Sequence, residues 1–385
     1  MRNLIYLFPL VMDIIVGGFL FIAADRFSRA NVPGWMVGAT MAAWAVIYTL
    51  LALTSGFVIK PEKSHKVLVG SSIGIALVSL GFLVFNGLYT QVLWLILTGC
   101  CGALFFTPFQ MYMKRYIPDG KSGIVHSTAL YTGSWSMGFA LGPILFGLLA
   151  PETAFICCIA AGVLMAVGFC ILEFLPQLRT SQQPESLPGS VSKAVDYSRY
   201  PDMVWMGYLV GGIGCIVIAL VRTMGPFRGV KVLNLSREEM GVIIASVSFA
   251  QSIVGYMLYF SRDWMYKKLR GILLNSVGII ALLVFAFGNS FASFLIAALL
   301  VGVYSGGFFF FFVFHSLVHP TKSARYVAGN ETIVGATGVI GPLLGGALIT
   351  PASSHWIFIA GAIMTAAALA GQQYMLLKAR IDWKK

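Results

Sequence analysis

The sequence predicts an all-α membrane protein: twelve transmembrane helices forming two six-helix bundles, related by a parallel, pseudo-two-fold repeat. Three observations predict it. Hydrophobic residues fill 58% of the 385 positions and charged residues only 10%, against about 25% charged in an ordinary soluble domain. Residues 67 to 113 and 271 to 321 contain no Asp, Glu, Lys or Arg, and each stretch is long enough for two spans of about 20 residues. Motifs in the first half also recur in the second at a nearly constant offset.

The same length rule places six spans near 3 to 24, 35 to 59, 67 to 86, 91 to 113, 124 to 150 and 153 to 175. Six more follow near 203 to 224, 240 to 261, 271 to 289, 291 to 316, 326 to 350 and 355 to 377. Only helices and closed barrels satisfy every backbone group in hydrocarbon, and continuous apolar runs of this length exclude the alternation of barrel strands. The first span exceeds the apolar core of a signal peptide and carries Asp13 in its middle, so it is read as a helix that stays in the protein. Ser236 stands three residues before Glu239, the spacing of a capping box at the start of the eighth helix. Asn234, Leu235 and Ser236 also form a glycosylation sequon, and capping is the expected use.

Assigning basic residues to alternate sides puts 20 of the 26 Lys and Arg on the side of both termini. Arg26, Arg29, Arg222, Arg228, Lys231 and Arg237 fall on the other. The positive-inside rule then places both termini in the cytoplasm. The net charge of +12 is spread over every loop of that side with no reading module, so no nucleic acid is expected as a partner. All six cysteines fall within spans at no metal-type spacing and read as small apolar side chains. The short loops and the lack of added domains suggest a bacterial inner membrane.

Residues 176 to 202, rich in Pro, Ser and Gln, form a polar connector between a first bundle over 1–175 and a second over 203–385. The repeat spans that divide. Gly142, Pro143 and Gly147 match Gly341, Pro342 and Gly346 at an offset of 199; Gly99, Phe105, Phe106 and Phe109 match Gly302, Phe308, Phe309 and Phe312 at 203. Lys63, Ser72, Gly74 and Ile75 match Lys267, Ser276, Gly278 and Ile279 at 204. An even number of helices per unit gives both copies the same orientation, with their axis along the membrane normal.

Two six-helix halves with a Gly-Pro-rich fifth helix in each resemble the major facilitator superfamily of secondary transporters. The likeness covers essentially the whole chain. Its most specific element is GFALGPILFG at 138 to 147, similar to the family's G-x-x-x-G-P-x-x-G-G signature, with Phe146 in place of a glycine. The second copy, IGPLLGGAL at 340 to 348, puts Pro342 where the Gly338 carbonyl loses its hydrogen-bond donor, so the helix can kink. Gly138, Gly142 and Gly147 in one copy, with Gly338, Gly341, Gly345 and Gly346 in the other, let neighbouring helices approach closely. Pro143 and Pro342 with these glycines read as hinge and packing seam; a static helix crossing is the other reading.

Two departures qualify the resemblance. The family's acidic and basic latch between helices two and three is altered: GFVIKPEKSHK at 56 to 66 keeps Gly56 but has Lys60 where an aspartate is expected, with Glu62 and Asp263 as substitutes. The arginine that drug and proton antiporters of the family carry in the fourth helix is missing from WLILTGCCGALFF at 94 to 106.

Ionisable groups inside spans are functional candidates by default. Asp13 lies near the centre of the first helix, where the resemblance implies a central cavity, and suits proton exchange or a cationic substrate group. Glu331 sits toward the termini side of the eleventh helix, with His126 and His315 at similar depth on the fifth and tenth. Proton coupling, an inner gate and a purely structural pair are all open to this set. Arg222 reads as a snorkelling structural residue near the outer end of helix seven. Tyr131, Trp135, Gln251, Asn275 and Tyr304 are polar groups at mid-depth that fit a cavity or an interhelical hydrogen bond equally.

His315 and His319 at helical spacing open a metal site in principle, but no carboxylate completes it, so no metal and no cofactor are expected. Neither a Walker loop nor a serine-hydrolase elbow occurs, and no enzymatic activity is expected. The resemblance implies a secondary transporter moving a small solute by alternating access. The depth of Asp13 motivates protons as the coupling ion, and the bilayer is expected as surroundings with a monomer as the working unit. The alternatives are a non-transporting scaffold or sensor on the same fold and a membrane metal-binding protein.

Overall fold

The structure is a computed structural model that describes residues 2–30, 32–113, 121–174, 202–258, 264–319, 322–350 and 352–379. Among these residues the chain forms twelve α-helices. They are α1 (Leu7–Arg29), α2 (Gly34–Val58), α3 (Ser64–Val84), α4 (Thr90–Met113), α5 (Lys121–Leu148) and α6 (Pro151–Phe174), then α7 (Val204–Lys231), α8 (Arg237–Met257), α9 (Lys268–Phe287), α10 (Phe291–Leu317), α11 (Ser323–Leu348) and α12 (Ser354–Lys378). Eleven are long and apolar enough to cross a bilayer; α5 is long enough, but Ser, Thr and Gly lower its hydropathy. The chain is therefore an integral multi-pass membrane protein. Most of the 176–202 connector, and Asp263, lie outside the described residues.

Local signals set several boundaries. Ser236 caps α8 through both bonds of a capping box: its Oγ accepts from Glu239 N at 3.2 Å, and its own N–H donates to Glu239 Oε2 at 2.8 Å. Asn234 just before it takes a left-handed φ of 55°, which turns the chain out of α7. Two helices run further than their hydropathy suggests. α1 continues to Arg29 and takes in Asp25, and α7 continues to Lys231 and takes in Arg228. Basic residues in a last turn suit the helix C-terminus, and Arg228 is buried against polar partners: Ser354 Oγ at 2.6 Å and the Ala286 carbonyl at 3.3 Å.

The helices pack in a repeating pattern. α1 lies on α5 as α7 lies on α11, α2 on α4 as α8 on α10, and α3 on α6 as α9 on α12. The halves meet chiefly along two seams, α2 with α11 and α5 with α8. α3, α6, α9 and α12 turn large apolar side chains outward, among them Leu77, Leu164, Ile280 and Ile363. In a membrane protein these faces meet lipid, which explains why the helices are apolar on every side.

The Gly-Pro segments run unbroken as helix and serve both their own half and the other. In α5, Gly142 lies against α1, where an added methyl would stand 2.5 Å from Gly18 N and from Ile14 O. Gly147 faces Gly241 of α8. In α11, Gly341 and Gly345 lie against Ala219 and Met224 of α7, while Gly338 and Gly346 face Ala45 and Gly38 of α2. The two seams are equivalent: the Pro342 carbonyl faces Gly38 and the Pro143 carbonyl faces Gly241. Close backbone approach is what the small residues supply.

The two ends of the bundle differ. At the end away from the termini, an apolar cluster joins Phe27 and Val37 of the first half to Leu220, Met224, Phe227 and Ile349 of the second. At the termini end, the corresponding cluster is built from the second half apart from Ala129.

Candidate functional site

A cavity of about 170 Å³ lies between the halves, lined from α1, α2, α4 and α5 on one side and α7, α8, α10 and α11 on the other. At roughly 10–15 Å³ of such volume per water, it has room for a small organic solute. Its walls are largely aromatic, with Trp44, Trp135, Phe139 and Phe309 among them. Three lining residues carry formal charge: Asp13, Arg222 and Glu331.

Asp13 reaches the cavity from the middle of α1 and is 3% exposed. Gly138 of α5 backs it: an added methyl there would come within 3.0 Å of the Asp13 Cβ. The first Gly of the signature thus lets α5 close on the helix that carries this carboxylate. No hydrogen bond or ion pair meets the Asp13 carboxylate among the described residues, although Arg222 and Glu331 lie within electrostatic reach.

Glu331 is held differently. Its Oε2 accepts from the Tyr48 hydroxyl of α2, and its Oε1 accepts from Gln110 Nε2 of α4. Gln110 Nε2 also approaches the Tyr131 hydroxyl at 3.2 Å. One carboxylate of the second half therefore takes donors from two helices of the first. Across the bundle, Gln251 of α8 makes the matching bridge, donating to Ser136 Oγ of α5 at 2.6 Å and accepting from Ser305 of α10 at 2.8 Å.

Arg222 enters from α7. Its Nη2 donates to Ser248 Oγ at 2.9 Å, and its guanidinium carbon stands 4.1 Å from the centre of the Phe139 ring of α5. Its Nε is buried without a hydrogen-bond partner. The side chain thus lies inside the cavity wall instead of snorkelling to the end of the span, because the stacking and the Ser248 bond hold it inward.

The expected residues divide accordingly. Asp13, Glu331, Tyr131 and Trp135 come together around the cavity. Gln251 lies away from it, taken up in the bridge between halves. Asn275 and Tyr304 sit inside the second half by a cleft of about 10 Å³, where Asn275 donates to Gln372 Oε1 at 3.0 Å. A 3.6-residue repeat cannot say which face of a fully apolar helix points inward, so depth alone made these three cavity candidates, and the structure gives them the interhelical alternative. His315 is buried among Tyr266, Phe311 and Phe314, outside the lining. His126 is half-buried on α5, also outside it. The helical spacing of His315 and His319 does not hold, because α10 ends at Leu317; the His319 Nδ1 instead accepts from Lys322 N at 3.0 Å. No cluster of metal-binding side chains occurs among the described residues.

Comparison with known proteins agrees with this architecture. Residues 5–319 match the family model of the Major Facilitator Superfamily. The chain belongs to that superfamily. Among solved structures, this superfamily member resembles the human organic anion transporter MFSD10 (TETRAN) with a TM-score of 0.70 at 12% identity, over 96% of this chain and 98% of that one. It also resembles a bacterial homolog of the human lysosomal transporter Spinster in its inward-facing, occupied conformation, with a TM-score of 0.63 at 13% identity over 99% and 97% of the two chains. The unoccupied inward-facing form of that homolog gives 0.62 at 15% over the same shares. Identities this low establish the fold alone. No curated protein sequence matches significantly.

Sequence reasoning missed Tyr48 and Trp44 in the cavity wall of this superfamily member and Gln110 beside Glu331, and it expected Arg222 to snorkel. Tyr, Gln and Trp inside spans were the available signal. Their faces were not legible, since the apolar residues around them repeat on all sides.

Proposed function

We propose that this superfamily member is a secondary active transporter that moves a small solute by alternating access and couples that movement to protons. The observation that carries the reading is the Asp13 carboxylate, buried, without a hydrogen bond or salt bridge among the described residues, and facing a cavity built from both halves. An ionised group so placed is costly unless a proton or solute neutralises it. That makes Asp13 a load-dependent group, with Glu331 as a second carboxylate whose partners come from the opposite half. The far-end cluster and the thin termini-end contact fit a state closed on one side. The hinge role of the two Gly-Pro segments belongs to the same reading, as do the two six-helix units over 1–175 and 203–385. So do cytoplasmic termini, a bacterial inner membrane and a monomeric working unit.

The test uses purified protein in proteoliposomes with an internal pH indicator and an inward proton gradient, against a panel of sugars, amino acids, organic acids and organic cations. A solute that triggers proton movement, with the response lost in Asp13→Asn, is the expected result. Spin labels at Tyr89 with Phe287 and at Phe57 with Leu269 report the two ends of the bundle, and their separations are expected to change in opposite senses. Static separations and no solute-dependent flux would replace this reading with a non-transporting scaffold or sensor.

A further inference from the structure

Taking the transporter reading as its basis, we propose that Arg222 is the anion-recognition residue of the central cavity, and that the solute is an organic anion with a flat apolar body. Arg222 supplies the lining's one positive charge among the described residues. Neither carboxylate of the cavity pairs with it. Glu331 is occupied by Tyr48 and Gln110, and Asp13 lies within electrostatic reach of Arg222 without a hydrogen bond or salt bridge to it among the described residues. Arg222 Nε is buried with no hydrogen-bond partner, and an anionic ligand is what would take such an unused charged donor.

The guanidinium is also held in place before any ligand arrives. Ser248 fixes Nη2, and the Phe139 ring from the opposite half lies against the guanidinium. Arginine in a fixed plane offers a fork of donors suited to a carboxylate or sulfonate. The surrounding walls then decide the rest of the molecule. Trp44, Trp135 and Phe309 give flat apolar faces and few polar groups, which suits an aromatic body over a sugar or a compact hydrophilic acid. Because Arg222 and Phe139 belong to different halves, an anion seated there would touch both.

Three probes of one shape test this: naphthoate, naphthamide and naphthylmethylammonium, with binding to detergent-purified protein read by equilibrium dialysis. Wild type is expected to bind naphthoate best, and Arg222→Gln to bind it roughly tenfold or more weakly. Arg222→Lys keeps the charge and is expected to recover part of the loss. It also keeps the test informative if Arg222→Gln folds poorly. Ser248→Ala, which frees the guanidinium without removing it, is expected to lie between wild type and Arg222→Gln. Equal naphthoate binding by wild type and a folded Arg222→Gln would overturn the proposal and leave Arg222 as an internal charge partner. Binding of the cation or the amide in preference to naphthoate would also overturn it while leaving the transporter reading intact. If none of the three binds to folded protein, the anion is rejected, and the flux measurement above decides the transporter reading independently.

Discussion

Arg237 of α8 donates from Nε to Asp25 Oδ2 of α1 at 2.9 Å, while Arg29 donates to Asp25 Oδ1 at 2.8 Å. A fully buried carboxylate in the first half is thereby shared between an arginine of its own helix and one from the second half. The capping box at Ser236 fixes the first turn of α8 and so the position of Arg237. Beside this pair lies the apolar cluster of Phe27, Val37 and Phe227. The ion pairs and the cluster stand together at the end of the bundle away from the termini.

Asp25→Ala should loosen that end. Removing one partner of a fully buried pair costs about 3–5 kcal/mol; both arginines here are about one-third exposed, so the expected loss for the closed state is about 1–3 kcal/mol. A cysteine at Val37, fully buried in the closed state, should then react faster with a membrane-impermeant maleimide. An unchanged rate would mean the apolar cluster alone closes this end.

Tyr48→Phe removes one donor from Glu331 and leaves an oxygen of a buried carboxylate unmet. The expected cost is about 1–3 kcal/mol, read as a lower unfolding temperature of the purified protein. Glu331→Gln should cost less in the Tyr48→Phe background than in wild type, because the two groups share one interaction. Additive losses would show that the bridge is not energetically coupled.

The two seams predict unequal tolerance to a single methyl. A Cβ at Gly38 would overlap the Pro342 carbonyl, whereas one at Gly241 would stand 3.1 Å from the Pro143 carbonyl. Gly38→Ala should therefore cost about 1–3 kcal/mol by overpacking and Gly241→Ala less. Melting curves of the two variants side by side check the order.

Arg228→Met tests a structural arginine against a functional one. Its guanidinium joins α7 to Ser354 of α12 and to the Ala286 carbonyl of α9, and Arg228 is not among the residues that line the cavity. Lower thermal stability with unchanged naphthoate affinity is expected, the reverse of Arg222→Lys.

Asp13→Asn should bind naphthoate more tightly than wild type at neutral pH. Arg222, Glu331, Tyr48 and Tyr131 are the charged and titratable groups around Asp13. Of these, only Arg222 attracts an anion. An ionised Asp13 repels an anion on Arg222, so protonating it by lowering the pH, or replacing it with Asn, strengthens binding by several-fold. Wild-type affinity is thus expected to rise on acidification and the variant's, with only Glu331 left to titrate, to rise less. Parallel pH profiles would remove Asp13 from the linkage.

The sequence by itself determined the membrane class, the twelve helices, the repeat, the cap at Ser236 and the presence of Asp13 and Glu331 inside long apolar helices. Each depends on length, composition or spacing along one chain, and lipid enforces those locally by denying water to every backbone group. Only the tertiary structure decided which side chains share the cavity. Arg222 turns inward because Phe139, 83 positions earlier, offers it a ring. Glu331 is held because Tyr48 and Gln110 arrive from two other helices. Gln251, Asn275 and Tyr304 have comparable depth and polarity but other partners. Helices apolar on all faces carry no periodic mark of their inward side, so these rotations are fixed by packing between helices and by long-range partners.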